Sequence, residues 1–175
     1  EELFTIPVYR SYLKARGGIQ EIMLAELIYA CGRTLPSIII IFIIAGVFLD
    51  ALQSFWGAMI SLPILMLANL AFGTVAMCFT AHIRRPLHFA YVNTLWTTPM
   101  FLCSGVFYDV KQVPGPLQWL AEILPLKHVL SSVRPLMTGQ DINPLRILAD
   151  VLILIVIAVV AYLYACRVFQ KRLLD

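Results

Sequence analysis

Four long apolar stretches alternate with shorter polar segments along the chain. Each stretch holds roughly 20 residues with few charges, which is the length a helix needs to cross about 30 Å of hydrocarbon. The pattern predicts membrane-spanning helices at about residues 29–49, 55–79, 89–108 and 145–166. The expected fold class is an all-α membrane protein with four transmembrane helices, in which residues 1–175 form a single transmembrane domain.

Segment 1–26 differs from the spans because charged and apolar residues are mixed in it. Basic residues precede the pair Gly17-Gly18, acidic residues follow it, and apolar residues recur at helical spacing on both sides. We expect a helix, a break and a second helix lying at the membrane surface. The pattern leaves open whether this is an ordinary juxtamembrane helix or one that docks to a partner protein.

Isolated polar side chains in and near the predicted spans have simple structural interpretations. Glu26 and Arg33 lie two turns apart on roughly one helical face, where a polar group or water could bridge them. We favour an Arg33 that snorkels to the interface. Asn69 is expected to bond to another helix. Arg146 and Asp150 stand at i, i+4 and are expected to form a structural ion pair at the membrane edge.

The third predicted span carries a polar stripe in its first half. Thr94, Thr97 and Thr98 fall at i, i+3 and i+4, so their hydroxyl groups share one face of the helix. These hydroxyls could satisfy the carbonyls that Pro99 leaves free, or they could line a conduit. The sequence does not choose between the two, and in the second case Thr97 and Thr98 face the conduit.

Residues 109–140, between the third and fourth spans, mix prolines and charges with large apolar residues. A spanning helix does not tolerate this mixture, and a soluble loop would be more polar. We expect two short amphipathic helices, at about residues 116–124 and 126–137, that fold back into the membrane as a re-entrant hairpin. Irregular backbone at that depth survives only inside protein or beside water, so the hairpin is expected to cover a pathway.

Composition and charge support this class and predict its orientation. Of the 175 residues, 61% are hydrophobic and 13% are charged, whereas soluble domains carry roughly 25% charged residues. We therefore expect contact with membrane lipid and no nucleic-acid partner. If the spans alternate, nine of the 13 Lys and Arg residues fall on the side that holds both termini of this chain, including the tail at 167–175. The positive-inside rule places that side in the cytoplasm and residues 109–140 outside.

Motifs for catalysis and cofactor binding are missing from the sequence. It has no GxxxxGK[ST], HExxH or GxSxG, so we expect no P-loop nucleotide site and no enzyme activity in this chain. The four cysteines are scattered singly, and the spacing of the histidines does not suit a metal. The strongest enzyme hypothesis is Ser104 with His128 in an intramembrane hydrolase, and it lacks a third residue to orient the pair.

A run of about 40 residues after the third span carries a more specific pattern. The span ends in Ser-Gly-x-Phe, a proline and an apolar helix follow, and then come Leu-Pro-Leu-x-His and Arg-Pro. The residues concerned are Ser104, Gly105, Phe107, Pro114, Leu124, Pro125, Leu126, His128, Arg134 and Pro135. In this pattern the chain resembles the membrane subunits of type-two ABC exporters, particularly the branch typified by the nodulation-factor export permease.

The resemblance implies a six-span permease of the bacterial inner membrane that pairs with a second copy or a close paralogue. It also implies two cytoplasmic ATPase subunits, which hold ATP and Mg while this chain binds no cofactor. With four spans predicted here, we expect that an amino-terminal portion with two spans is missing.

The resemblance also assigns roles to residues. In the family a short cytoplasmic helix docks into the ATPase, although Gly17-Gly18 stands where the family commonly has Thr-Pro. The corresponding coupling residues are Ile19, Gln20, Glu21, Ile22 and Met23. The family's outer gate falls at Phe101, Ser104, Gly105 and Phe107.

The expected function is ATP-driven export of an amphipathic or polymeric cargo, with a tilt of the first span opening a path between two copies. A lipo-oligosaccharide, a polysaccharide, a lipid and a drug all remain open as cargo. Two other classes stay as alternatives. A non-transporting membrane scaffold explains the spans but not the proline-broken helices, and an intramembrane hydrolase explains those helices but lacks a catalytic set.

Overall fold

A computed structural model describes residues 19–47, 54–83, 86–106, 122–139 and 142–174. The regular secondary structure in these ranges is helical, as expected for an all-α protein, and consists of five helices. They are α1 (Ile19–Val47), α2 (Phe55–His82), α3 (Pro86–Cys103), α4 (Pro125–Thr138) and α5 (Pro144–Leu174).

Three of these helices are long and apolar enough to cross a membrane. They are Gln20–Val47 in α1, Phe55–His82 in α2 and Pro144–Lys171 in α5. The third predicted span corresponds to α3, which has 18 residues and is not among the three. Its regular helix ends at Cys103, before the predicted end at residue 108. The structure therefore supports three of the four predicted spans.

The helices that contain the predicted terminal segments are longer than expected. α1 begins at Ile19 and continues without a break to Val47, so the described part of segment 1–26 forms the first turns of a spanning helix and not a separate surface helix. The break predicted at Gly17-Gly18 lies outside the described residues. α5 runs to Leu174 and includes most of the segment predicted as a tail.

α2 is the centre of the bundle and contacts all four other helices. The face of α2 that packs against its neighbours is rich in small residues. The buried small residues include Gly57, Ala58, Ser61, Ala68 and Ala71. A Cβ atom added at Gly57 would lie 1.7 Å from the backbone oxygen of Leu136. α2 and α4 therefore touch backbone to backbone, as small residues allow in membrane helices.

α3 packs along the C-terminal half of α2. The ring centroids of Phe79 in α2 and Trp96 in α3 are 5.3 Å apart. Further along, Cys103 of α3 and Leu124, the residue before α4, pack with Phe72. Since Phe72 lies near the middle of α2, α3 ends beside the middle of the central helix.

α4 continues in the same direction as α3. Its start lies by Phe72 and its end by Gly57, so it covers the other half of α2. Pro125 suits the first turn, where the missing N–H has no partner to lose, and Gly139 ends the helix with φ 66°, a left-handed conformation that glycine adopts without strain. The structure has Pro125–Thr138 where we predicted 126–137. Most of the other predicted helix, 116–124, lies outside the described residues.

The expected cross-helix role of Asn69 is confirmed. Its amide oxygen accepts from Thr34 Oγ1 and its amide nitrogen donates to Cys31 Sγ, both at 3.5 Å. The two contacts tie the middle of α2 to α1.

Candidate functional site

One face of α4 is buried against α2 and α5 although it carries polar side chains. Val129, Val133 and Leu136 pack in the apolar core of the bundle. His128 and Ser132 are buried on the same helix. A buried polar group is costly unless it has a hydrogen-bond partner, and α5 supplies that partner.

The partner is Asp150, which is only 6% exposed. Its Oδ1 lies 2.7 Å from Nδ1 of His128. Its Oδ2 accepts from the hydroxyl of Ser131 and, at 3.4 Å, from that of Ser132. We call His128, Ser131, Ser132 and Asp150 the α4–α5 polar cluster.

The contact made by the second ring nitrogen of His128 limits which atoms of the cluster carry a hydrogen. Nε2 lies 2.9 Å from the carbonyl oxygen of Glu122, which can only accept, so Nε2 carries a hydrogen. Nδ1 then either donates to an ionised Asp150 or accepts from a protonated Asp150. With one proton between Nδ1 and Oδ1 and no other proton on Asp150, the His128–Asp150 pair is neutral as a whole, which reduces the cost of burying it.

The structure does not join Ser104 to His128, so the hydrolase hypothesis loses its catalytic pair. Ser104 Oγ donates to the carbonyl of Phe101 at 3.3 Å. Both ring nitrogens of His128 are already bonded, to Asp150 and to the Glu122 carbonyl. His128 therefore has no free nitrogen with which to take a proton from a serine in this arrangement.

The predicted ion pair of Arg146 and Asp150 is wrong. Across the described ranges the ion pairs are Lys127–Glu122 and His128–Asp150. Arg146 does not pair with Asp150 because Arg146 is exposed while Asp150 is buried in the bundle. The last helix begins with an N-terminal cap, because Asn143 Oδ1 accepts the backbone N–H of Leu145 at 3.2 Å.

The residues assigned to the outer gate separate into buried and exposed members. Ser104 and Gly105 are buried in the turn that ends α3, and Gly105 has φ 85°. Phe101 and Thr98 are exposed on α3, and Thr97 is half-buried. Phe107 lies outside the described residues. The exposure of Thr98 fits either of the two interpretations of the polar stripe.

Two distant parts of the sequence motif meet at this turn. Arg134 of α4 donates from Nη2 to the carbonyl oxygen of Gly105 at 3.4 Å. The Ser-Gly and Arg-Pro elements are thus brought together in space. Of the other motif positions, Pro125 starts α4, Pro135 lies inside it, and Pro114 falls outside the described ranges.

The segment predicted to couple to an ATPase lies at the opposite end of the bundle. Gln20 and Glu21 are exposed, Ile22 is half-buried and Met23 is buried. Ile19 begins the helix, and its side chain is outside the description. The segment packs against the C-terminal part of α5, far along that helix from Asp150. Further along α1, the predicted span-edge charges Glu26 and Arg33 are exposed.

The contact between this segment and α5 combines one hydrogen bond with sulfur and apolar packing. Tyr162 donates its hydroxyl to the backbone carbonyl of Gln20 at 3.0 Å. The sulfur atoms of Met23 and Cys166 lie 3.6 Å apart, next to fully buried Ala165. We call Gln20, Met23, Tyr162 and Cys166 the α1–α5 contact.

The sequence patterns predicted neither the polar cluster nor the α1–α5 contact. The signal for the cluster was present, because an acidic residue such as Asp150 close to a long apolar run needs a partner inside the bundle. The signal for the contact was absent, because nothing in a tyrosine or a methionine specifies a backbone carbonyl or a thiol across more than a hundred residues. No group of three or more metal-ligating residues is found in the part of the chain that the structure describes.

Comparison with known proteins agrees with the family resemblance found in the sequence. Residues 7–138 match the family described as "ABC-2 type transporter". The chain is 33% identical over 114 residues to Nodulation protein J of Rhizobium meliloti (strain 1021), covering 65% of this chain and 43% of the relative. It is 31% identical over 157 residues to Nodulation protein J of Bradyrhizobium diazoefficiens, covering 88% and 57%.

A third relative covers a similar share. Nodulation protein J of Sinorhizobium fredii is 29% identical over 155 residues, which is 89% of this chain and 58% of the relative. The chain therefore spans about half the length of the curated relatives it matches. No solved structure gives a significant match.

Proposed function

Because this chain belongs to the ABC-2 type transporter family, we propose that it forms part of the membrane-spanning permease of an ATP-binding cassette exporter. In this role it moves an amphipathic or polymeric cargo outward, such as a lipo-oligosaccharide, a polysaccharide, a lipid or a drug. ATP is hydrolysed on a separate subunit that holds ATP and Mg, and this chain is a transport subunit without its own ATPase site.

The observation that carries the proposal is the placement of α4. It is a 14-residue helix, about 21 Å long at 1.5 Å per residue, and therefore too short to cross the membrane by itself. It lies alongside half of α2, and Arg134 fastens it to the turn after α3. A partly inserted helix held at one end of the bundle supports a lid over one end of a pathway.

The two ends and the outer surface of the bundle support a set of partners. The exposed residues Gln20 and Glu21 at the start of α1 form the docking point for a cytoplasmic ATPase. Most large apolar side chains of α1 and α5 are exposed, which supports contact with lipid and with a second permease copy, either identical or a close paralogue. The conduit then lies between the two copies.

The positions of these two regions support one orientation in the membrane. The α1–α5 contact is at one end of α5 and α4 is at the other, so they lie toward opposite membrane faces. We place the start of α1 and the end of α5 in the cytoplasm of a bacterium, and the end of α4 outside its inner membrane. Single cysteines at the exposed positions Ile142 and Lys171 test this, because a membrane-impermeant thiol reagent should label Ile142→Cys from outside and Lys171→Cys only after permeabilisation. The reverse pattern would overturn the orientation.

The coupling role is tested by changing the exposed docking residues in the full-length protein, purified with its ATPase partner in proteoliposomes. Gln20→Ala with Glu21→Ala should lower ATP-driven transport of a fluorescent N-acylated oligosaccharide several-fold while the complex loses affinity for the ATPase. The matched control is Leu24→Ala, an exposed apolar position one turn away, which should leave both unchanged. Transport that needs no ATPase at all would reject the exporter function.

A further inference from the structure

The helix α5 touches both functional ends of the bundle. Near its start, Asp150 bonds to His128 and Ser131 of α4. Near its end, Tyr162 and Cys166 contact the segment at the start of α1. The 12 residues between Asp150 and Tyr162 span about 18 Å along the helix axis.

α5 is also the helix best suited to carry a movement over that distance. The other four helices each have an interior proline, at Pro36, Pro63, Pro99 and Pro135. α5 has its proline only at the first position, Pro144, and none among residues 145–174. An interior proline removes a backbone hydrogen bond and permits a kink, so α5 is the stiffest path from end to end.

The first helix is less suited to this role. Pro36 lies between the start of α1 and its far end, and a push at Gln20 can be absorbed as bending at that proline. α1 is also largely exposed, with Met23 and Leu27 as its buried apolar residues in the described part. Tilting of α1 alone, as expected from the sequence, therefore gives a weak connection to α4.

We propose that α5 transmits movement of the coupling segment at Gln20 and Met23 to α4, through the α1–α5 contact at one end and the α4–α5 polar cluster at the other. This inference rests on the proposed exporter function and adds its route of transmission. During the cycle the first turns of α1 move with α5 as one body, and α4 follows because Asp150 holds its buried face. Tyr162, Cys166, Asp150 and His128 act as positioning residues.

The first test weakens the α1–α5 contact. Full-length protein with Met23→Ala and Tyr162→Phe is reconstituted with its ATPase in vesicles, and ATP hydrolysis and uptake of a fluorescent N-acylated oligosaccharide are measured together. Loss of each contact should lower the amount transported per ATP hydrolysed by about two- to tenfold, with all variants compared at equal amounts of bound ATPase. The control pair Leu24→Ala and Leu163→Ala changes exposed neighbours on the same two helices and should leave the ratio unchanged.

The second test joins the contact covalently. Met23→Cys is placed in a protein whose remaining native cysteine is Cys166, and the two thiols are joined by oxidation or by a short bifunctional thiol reagent. Since the two helices move together, the cross-linked complex should keep at least half of its transport, and reduction should not raise it. Leu24→Cys, on the exposed side, should not cross-link.

Each outcome has a defined meaning. Transport lost on cross-linking and regained on reduction means that α1 and α5 separate during the cycle, and it overturns the inference. An unchanged ratio in Met23→Ala with Tyr162→Phe also overturns it, while leaving the exporter function intact. Absence of ATP-driven uptake of a lipo-oligosaccharide, a polysaccharide, a lipid and a drug alike by the unmodified complex, with the ATPase bound and active, overturns the exporter function itself.

Discussion

The two ends of α5 are held in chemically different ways. At the α4 end, a buried carboxylate joins a histidine ring and two hydroxyl groups, and no buried side-chain nitrogen or oxygen in the described ranges lacks a partner. At the α1 end, one hydroxyl donates to a backbone carbonyl, and two sulfur atoms lie in contact beside buried Ala165. Hydrogen bonds require a fixed geometry, whereas methionine packing adapts to changes in shape. The first end therefore holds α5 mainly by directional hydrogen bonds, and the second holds it mainly by side-chain packing.

The largest expected effect comes from removing the acid at the α4 end of α5. Asp150→Ala leaves Nδ1 of the buried His128 ring without its partner, and breaking a buried pair in this way costs about 3–5 kcal/mol. Thermal unfolding of the purified protein in detergent should shift to lower temperature. Arg146→Ala, one turn earlier on the exposed face, should change stability by less than about 0.5 kcal/mol. Equal behaviour of the two variants would show that the polar cluster does not hold α4.

A smaller effect is expected from pushing α4 away from α2. Gly57→Ala places a Cβ atom 1.7 Å from the backbone oxygen of Leu136, so the helices must separate, and overpacking of this kind costs about 1–3 kcal/mol. Gly32→Ala is the matched control because nothing lies within 4 Å of its new Cβ atom. The same unfolding assay should show a lower midpoint for the first variant and no loss for the second. A neutral Gly57→Ala would contradict the close contact of α2 and α4.

The smallest effect is expected at the α1 end of α5. Tyr162→Phe removes one hydrogen bond to the Gln20 carbonyl and keeps the ring, which should cost about 0.5–1.5 kcal/mol. Its effect on the unfolding midpoint should be well below that of Asp150→Ala. Tyr164→Phe serves as the comparison, since its hydroxyl lies 3.3 Å from Nε2 of His82 and not on α1. If Tyr162→Phe destabilised as strongly as Asp150→Ala, the two ends would not differ in the way described.

The long helices could be predicted from the sequence, because the length of a run of apolar residues can be read along the chain without knowing how the helices pack. The spans of α1, α2 and α5 follow from runs of apolar residues that fit the membrane. The third span was wrongly extended, because apolar residues continue past Cys103 while the helix gives way to the turn with Gly105 at positive φ. Hydropathy alone does not show at which residue a helix ends beside a neighbouring helix.

The site could be predicted only in part, because its contacts are set by the arrangement of helices. The motif supplied His128 and Arg134 but not their partners, Asp150 and the Gly105 carbonyl. A carbonyl has no sequence signature, and Asp150 had an equally plausible partner four residues away in Arg146. Burial decided between them, since Asp150 lies on the face of α5 that meets α4.

The neutrality of the His128–Asp150 pair has a consequence for the energetics in a living cell. Moving one elementary charge through 100 mV of membrane potential involves about 2.3 kcal/mol. Because the proton is shared within the pair, a displacement of His128 and Asp150 together carries no net charge through that field. The voltage across the membrane therefore does no work on the net charge of this pair when the pair is displaced.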